Sequence, residues 1–187
     1  MDGLEAGLMV SKFGCTLAAL CVAGLATTAT AQDKQGTSTN RVAAKTDWSV
    51  FVEKDPTECW SVSAPKSTKN TRGGREVAVR RGDILLFVFY RPKDKVKGQI
   101  AFTGGYPFAT GSTVNMNISG NSFELFSDGE WAWPATATDD AKIITAMKRG
   151  AEAVLTARSA RGTQTSDTFS LLGFTAAIED AEKRCNQ

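Results

Sequence analysis

The sequence predicts a mainly β fold, a β-sandwich that carries two short helices in its C-terminal part. Between residues 48 and 133, short apolar or alternating runs are separated by glycine, proline and Asx turn signals. Many short strands of this kind, with a turn about every 8–12 residues, are typical of sandwiches and barrels. One further hairpin and two stretches with helical periodicity complete the pattern.

The first 31 residues are predicted to be a cleaved signal peptide, so the protein is predicted to be exported. Lys12 precedes a mostly apolar run over residues 13–26, and the small residues Ala29 and Ala31 favour cleavage after Ala31. A transmembrane anchor is the alternative, but the run falls short of the roughly 20 strongly apolar positions that an anchor needs. No integral membrane segment is therefore expected after cleavage. A translation start at Met9 would give a more usual basic amino terminus.

The mature chain is predicted to consist of a leader and one domain. Residues 32–46 are small and polar, which predicts a flexible leader without structure of its own. Residues 47–187 are predicted to form a single β-sandwich domain. A domain of this size buries about 68–70% of the surface of its unfolded chain, which is enough for one proper core.

Alternation and apolar runs predict the strands of this domain. Residues 48–53 alternate as a strand with one buried face does, and residues 59–63 form a second short strand. Residues 84–90 are seven consecutive apolar or aromatic residues, which predicts a central strand buried on both faces. Residues 66–75 are polar and predict a loop or a wide hairpin tip. Further strands are predicted at residues 76–80, 99–103, 112–118, 122–126 and 130–133.

The C-terminal part is predicted to contain a helix, a hairpin and a second helix. Asp139 and Asp140 open the first helix and Gly150 ends it, because carboxylates stabilise a helix N-terminus and glycine commonly follows a helix end. Residues 153–159 and 163–171 are predicted to pair as a hairpin.

Cys59 and Cys185 are predicted to form a disulfide. Phe174, Ile178, Ala181 and Cys185 recur at spacings of four, three and four, which puts them on the inward stripe of the last helix. Of the four cysteines, only Cys59 and Cys185 lie beyond the predicted signal peptide, and exported proteins usually pair their cysteines. Free thiols or a redox pair are the alternatives, but the Cys-x-x-Cys spacing that redox chemistry prefers is absent.

Composition and motifs favour binding over catalysis. The sequence has no histidine, which excludes Ser-His-Asp and Cys-His arrangements and the commonest zinc sites. A Ser-Lys pair stays open, but no local motif selects one, and no two carboxylates are placed for glycosidase chemistry. We therefore predict no enzyme activity, no metal and no cofactor. The formal net charge of +2 is too small to predict nucleic-acid binding.

Two groups of residues are candidates for a binding surface. Trp131 and Trp133 flank Ala132, so on a strand they share one face. They predict either an edge of the core, where most large aromatic residues lie, or an exposed platform that stacks on sugars. Arg158 and Arg161 lie at the end of the predicted hairpin, where a solvated hairpin end is the alternative to a binding surface.

The tripeptide Arg81-Gly82-Asp83 is a sequence that many integrins recognise. Recognition requires an exposed loop tip, and here the tripeptide adjoins the most apolar predicted strand. A turn that leads into this strand is a sufficient explanation, since motifs this short often match by chance.

Five segments of the sequence resemble the invasion-associated locus B family of bacterial proteins. They are DWSV at 47–50, WAWP at 131–134, AMKRG at 146–150, SARGT at 159–163 and SLLGFTAA at 170–177. The resemblance implies an immunoglobulin-like β-sandwich, a periplasmic or outer-membrane-associated location in a Gram-negative bacterium, and no known enzymatic activity. Many members have additional mid-chain cysteines, which this sequence lacks, so no second disulfide is expected.

Together, these observations predict a non-enzymatic exported envelope protein. It is expected to be a protein-binding or structural module whose partner is an unidentified envelope or host protein. A module that binds cell-wall glycan through Trp131 and Trp133 is the alternative.

Overall fold

The computed structural model describes residues 40–55 and 57–187 of the chain, which form strands, two α-helices and a 3-10 turn. The strands are β1 Arg41–Lys45, β2 Trp48–Lys54, β3 Thr57–Ser63, β4 Ser67–Arg72, β5 Arg75–Glu76, β6 Leu85–Arg91, β7 Val96–Thr103, β8 Thr113–Ile118, β9 Asn121–Asp128, β10 Trp131–Trp133, β11 Glu152–Arg158 and β12 Gln164–Ser170. The helices are α1 Ala137–Arg149 and α2 Phe174–Cys185, and the 3-10 turn is Pro92–Asp94. The predicted mainly β class with two C-terminal helices is confirmed.

All these strands belong to one antiparallel sheet, in the order β1-β2-β3-β6-β7-β10-β9-β8-β11-β12-β4-β5. Alternate residues of the strands point to one side and form the core. Phe102 of β7 meets Phe169 of β12 edge to face, with ring centroids 6.1 Å apart. Strands far apart in the sheet order therefore face each other across the core, as the layers of a sandwich do. The immunoglobulin-like assignment stays a prediction.

The predicted signal peptide, residues 1–31, lies outside the described residues, and so does the leader up to residue 39. The rest of the predicted leader contains β1, which pairs with β2 and places Ala43 opposite Val50. The prediction of a segment without structure is wrong at β1. Backbone hydrogen bonds hold an edge strand without the apolar alternation that reveals a central strand.

Two predictions in the middle of the chain need correction. Residues 66–75, predicted to be a loop or a wide hairpin tip, contain a hairpin turn at Gly73 and Gly74 between β4 and β5, but β4 also pairs with β12 along five residues from Thr168 to Gln164. The predicted strand at residues 76–80 is reduced to the end of β5, and residues 77–84 have no regular structure. The side chains of β4 are exposed or half-buried, so this strand carries no apolar signal in the sequence.

Strand β6 is buried on one face. Leu86, Val88 and Tyr90 point into the core, whereas Phe87 and Phe89 are half-buried on the opposite face. The predicted burial of residues 84–90 on both faces is therefore wrong for the outer face. A continuous apolar run does not distinguish a strand covered on both sides from one whose outer side is an aromatic surface.

Helix α2 packs against β1, β2, β3 and β6 and is covalently fixed there. The predicted stripe is buried, with Phe174 fully enclosed and Cys185 4% exposed. Cys185 forms a disulfide with Cys59 of β3 over a sequence separation of 126 residues, with the two Cα atoms 5.6 Å apart. The predicted disulfide is confirmed.

Helix α1 begins at Ala137, two residues before the predicted start, and ends at Arg149, directly before the predicted stop at Gly150. Thr136 caps it, because the Thr136 hydroxyl accepts from the Asp139 backbone N–H at 3.2 Å. The buried Asp140 carboxylate accepts from the Ile100 N–H at 2.8 Å and so ties α1 to β7. Burial raises the pKa of Asp140.

Neither helix in the described ranges is long and apolar enough to cross a membrane.

Removing the disulfide is expected to destabilise the protein more than any single surface change. In a Cys59→Ala/Cys185→Ala variant, loss of the constraint on the unfolded chain should lower the free energy of unfolding by about 2–5 kcal/mol. Urea unfolding followed by tryptophan fluorescence measures this loss. The control is Arg161→Ala, an exposed position where the change should stay within about 0.5 kcal/mol. Equal losses in the two variants would contradict the structural role of the bond.

Candidate functional site

The face of the sheet that points away from the core carries a continuous row of aromatic side chains. Strand pairing places Phe51 opposite Trp60, and Trp60 opposite Phe89 on the next strand. Phe87 lies two residues before Phe89 on β6, so both point to the same outer side. We call the whole set the aromatic strip; its members are Phe51, Trp60, Phe87, Phe89, Phe126, Trp131 and Trp133.

Ring contacts connect most of the aromatic strip from strand to strand. The rings of Phe51 and Trp60 stack with centroids 5.3 Å apart, and those of Phe87 and Phe89 stack at 5.1 Å. The Trp60 and Phe89 centroids are 6.3 Å apart, and those of Phe87 and Trp131 are 5.7 Å apart. Aromatic pairs at such separations stabilise each other beyond the area that they bury, so the rings hold one another in place.

Trp131, Trp133 and Phe126 are the most exposed part of the aromatic strip. Their exposed fractions are 41%, 38% and 48%, and Trp133 lies opposite Phe126 across the β9–β10 pair. The residue between the tryptophans, Ala132, is fully buried. The interpretation of Trp131 and Trp133 as an edge of the core is therefore wrong. Ala132 occupies the core side of β10, and alternation then directs both indoles outward.

A depression of about 270 Å³ opens in the aromatic strip. Its walls are Phe89, Arg91, Gln99, Ala101, Trp131 and Trp133. Strand β7 contributes Gln99 and, opposite Phe87, the small side chain of Ala101, which leaves the space between the larger rings open. The depression thus combines aromatic faces with two polar side chains.

Arg91 is fixed at the edge of this depression. Its guanidinium lies over the Phe89 ring, 4.6 Å from the centroid. Nε of Arg91 donates to the Glu58 carboxylate, and Nη1 donates to the Gln99 side-chain oxygen at 2.8 Å. The Gln99 amide nitrogen is thereby directed away from Arg91. The arrangement offers stacking surfaces and hydrogen-bond donors in fixed positions, which suits the binding of a ligand.

Arg158 and Arg161 are exposed at the end of the β11–β12 hairpin, as the sequence predicts. The neighbouring loop anchors this end, because Ala109 N–H donates to the Arg158 carbonyl and Ala160 N–H to the Pro107 carbonyl, both at 2.9 Å. Among the described residues, no hydrogen bond or ring contact joins these arginines to the aromatic strip. The predicted binding residues therefore form two separate groups in the structure, the two arginines at the hairpin end and the two tryptophans in the aromatic strip.

The Arg81-Gly82-Asp83 tripeptide is not displayed as an adhesion signal, because the Arg81 side chain is only 7% exposed. Both terminal nitrogens of Arg81 donate to the fully buried Asp167 carboxylate, at 2.7 and 2.6 Å. Arg81 Nε donates to the Gly104 carbonyl at 2.8 Å, and the guanidinium lies over the Tyr106 ring. This pairing pins the irregular segment 77–84 to β12.

Asp167 is buried, which disfavours the charged form of its carboxyl group. Burial raises the pKa of the Asp167 carboxyl, and the bidentate contact with Arg81 lowers it in part. A tight backbone contact accompanies the ion pair. A Cβ atom added at Gly105 would meet the Gly82 backbone at 2.6 Å, and Gly105 has a φ of +71°, so glycine is required there.

The sequence does not predict most members of the aromatic strip. Phe51 and Trp60 fall in predicted strands without a binding role, and Phe87 and Phe89 fall in the strand predicted to be buried on both faces. The useful signal was present, since Phe87 and Phe89 lie at alternate positions of a run in which Leu86 and Val88 form the other face. What connects them to Trp131 is the pairing of strands distant in sequence.

Comparison with known proteins supports one family. The model of the invasion associated locus B protein family matches residues 48–182, which include every strand from β2 to β12. The chain belongs to this family. The resemblance noted in its sequence is thereby confirmed.

One solved protein structure has the same fold as this chain. The crystal structure of invasion associated protein B from Bartonella henselae matches 78% of this chain and 98% of its own chain, with a TM-score of 0.54 and 14% sequence identity. At this identity the match shows the fold alone. No curated protein matches the chain. Neither the family description nor that of the solved structure names a catalytic activity.

Breaking the Arg81–Asp167 pair from one side should destabilise the protein strongly. In Asp167→Leu, Arg81 stays buried without its counter-charge, so the free energy of unfolding should fall by about 3–5 kcal/mol. Chemical denaturation measures the change, with Glu179→Gln as the control. Glu179 forms an exposed pair with Lys148 and should contribute less than about 1 kcal/mol.

The double variant Arg81→Met/Asp167→Leu distinguishes the unpaired charge from lost packing. It should recover much of the stability, because both charged groups are then replaced by apolar side chains. A double variant as unstable as Asp167→Leu would show that packing around the carboxylate, and not the ion pair, holds segment 77–84.

Proposed function

We propose that this member of the invasion-associated locus B family is a non-enzymatic protein-binding module of the Gram-negative cell envelope. Its binding surface is the aromatic strip, and its partner is an envelope or host protein that presents an apolar patch. The proposal depends above all on the outward position of Trp131, Trp133 and Phe126, which are 41%, 38% and 48% exposed.

The extent of the aromatic strip supports a protein partner. The strip runs from β2 to β9 across neighbouring strands of the sheet. Because neighbouring strands lie roughly 4.8 Å apart, the strip is about 24 Å long in the direction across the strands. Contiguous exposed apolar surface of such extent marks interaction sites, and Trp and Arg are the residues that most often dominate protein–protein binding energies. Arg91, stacked at the edge of the strip, fits this composition.

Location in the periplasm or at the outer membrane is part of the proposal. The predicted signal peptide at residues 1–31 supports export, and the Cys59–Cys185 disulfide is suited to an oxidising compartment. Family membership supports the same assignment. A structural role in the envelope is compatible with such binding, because the partner would then be a neighbouring envelope protein.

Binding of cell-wall glycan is a second candidate, and the depression in the aromatic strip favours it. Trp131 and Trp133 offer indole faces, and Arg91 and Gln99 offer donors toward the same space of about 270 Å³. Stacked rings beside hydrogen-bonding side chains are suited to a sugar, whose apolar faces and hydroxyl groups alternate.

A photo-crosslinking experiment in living cells tests the primary proposal. A photoreactive amino acid at Phe126 should crosslink to a defined envelope protein, and a Trp131→Ala/Trp133→Ala background should abolish this product. The purified partner should then bind the unsubstituted protein at least roughly 30-fold more tightly than the double variant, the loss expected for hot-spot residues.

Two controls test the hairpin end as an alternative surface and cell-wall glycan as an alternative ligand. Arg158→Ala/Arg161→Ala should bind the purified partner normally; if this variant alone loses binding, the hairpin end is the surface and the aromatic strip is not. Soluble cell-wall fragments should leave the tryptophan fluorescence unchanged. Quenching that Trp131→Ala abolishes, without any protein crosslink, would replace the protein partner with glycan.

A further inference from the structure

Helix α1 and the β8–β9 hairpin line an open groove of about 600 Å³, which shares no lining residue with the depression of the aromatic strip. We call it the helix groove. Its two walls come from different kinds of structure, one from the helix and one from the hairpin tip. A volume of this size lies within the range of roughly 300–1,000 Å³ that is usual for small-molecule sites.

The helix wall is one stripe of α1 beside the buried face, of which Ala146 also packs against the core. Its members are Thr138, Ala141, Lys142, Thr145, Ala146 and Arg149. These positions recur at helical spacing, whereas Ile143 and Met147 occupy the buried side of the same helix. Four of the six side chains are alanine or threonine, and their small size creates the room beside the hairpin.

The hairpin wall is apolar at its base and rigid at its tip. Ile118 is 1% exposed and Phe123 is partly buried against the core, so both present apolar surface to the groove. The turn at Ser119 and Gly120 has φ values of 50° and 85°, which fit a tight hairpin turn. A Cβ atom at Gly150 would lie 2.7 Å from Cγ2 of Ile118, so the helix end and the hairpin close the groove there.

The charges on the helix groove are of one sign. Lys142 and Arg149 line it, and none of its lining residues is acidic. Lys142 is paired with Asp139 at 3.0 Å, which leaves its aliphatic stem along the groove. Arg149 makes no ion pair within residues 40–55 and 57–187 and lies at the closed end, next to Gly150. A cation without an ion pair among these residues, at one end of an open groove whose exposed lining is mostly apolar, is complementary to an anionic head group on an apolar chain.

We propose that the helix groove binds a long-chain fatty acid. Its carboxylate pairs with Arg149 at the closed end, and its acyl chain lies along Ala146, Phe123 and Ala141. The stripe from Thr138 to Arg149 rises by roughly 16 Å at 1.5 Å per residue, so an extended chain has a continuous apolar path. This site is independent of the aromatic strip and of the proposed protein partner.

Isothermal titration of the purified protein with palmitoleate, below its micelle concentration, tests the proposal. Binding with one site per chain is expected. Arg149→Gln should weaken it roughly tenfold, because a charge-assisted hydrogen bond is lost. The matched control is Arg161→Gln, another exposed arginine, which should leave the affinity unchanged. Palmitoleate methyl ester should bind as weakly as palmitoleate binds to Arg149→Gln.

A second variant tests the path of the chain. Ala146→Phe fills the groove and should abolish binding, with an unchanged circular dichroism spectrum as proof of folding. Should that variant misfold, methyl resonances of Ile118 in the unsubstituted protein serve instead; they should shift with palmitoleate, while those of Leu86 should not. Absence of binding, equal loss in Arg149→Gln and Arg161→Gln, or equal affinity for an alkyltrimethylammonium cation of the same length would each overturn the proposal.

Discussion

The covalent attachment of α2 to the sheet is the constraint on which the β2–β3–β6 part of the candidate binding face depends. The disulfide between Cys59 and Cys185 holds α2 over the inner side of β2, β3 and β6, where Trp48 and Phe174 meet edge to face with centroids 4.9 Å apart. The same three strands carry Phe51 and most of the aromatic strip on their outer side. A surface whose backing is fixed in this way loses little conformational freedom when a partner binds.

Buried polar contacts position the segments that regular structure does not hold. Arg81 and Asp167 fix the irregular stretch 77–84 against β12, and Asp140 fixes α1 to β7. Burying charged groups is costly unless they are paired and hydrogen-bonded, and Arg81 and Asp167 meet both conditions. Asp140 meets the second through the Ile100 N–H. The first contact also explains why an apparent adhesion signal is unavailable, since its arginine has a structural role.

Both proposed binding surfaces arise where a small side chain stands among large ones. Ala101 leaves the depression open between Phe89 and Trp131, and Ala146 leaves the helix groove open beside Phe123. The two surfaces differ in their charge. The arginine of the depression is neutralised by a carboxylate, whereas Arg149 of the helix groove has no ion pair within the described part of the chain. This difference is why a protein or neutral sugar suits the first surface and an anionic amphiphile suits the second.

The mainly β class, the two C-terminal helices and the disulfide could be predicted from the sequence alone. These features have local signatures, because alternation marks a strand and the stripe that ends at Cys185 marks a helix face. Only the tertiary structure decided that Phe87 would adjoin Trp131 and that Arg81 would meet Asp167. The physical reason is that strands pair through backbone hydrogen bonds, which are nearly the same for every sequence. Polar β4 and the small-residue edge strand β1 therefore joined the sheet without an alternating apolar signal, and the contacts between distant strands had no local pattern to reveal them.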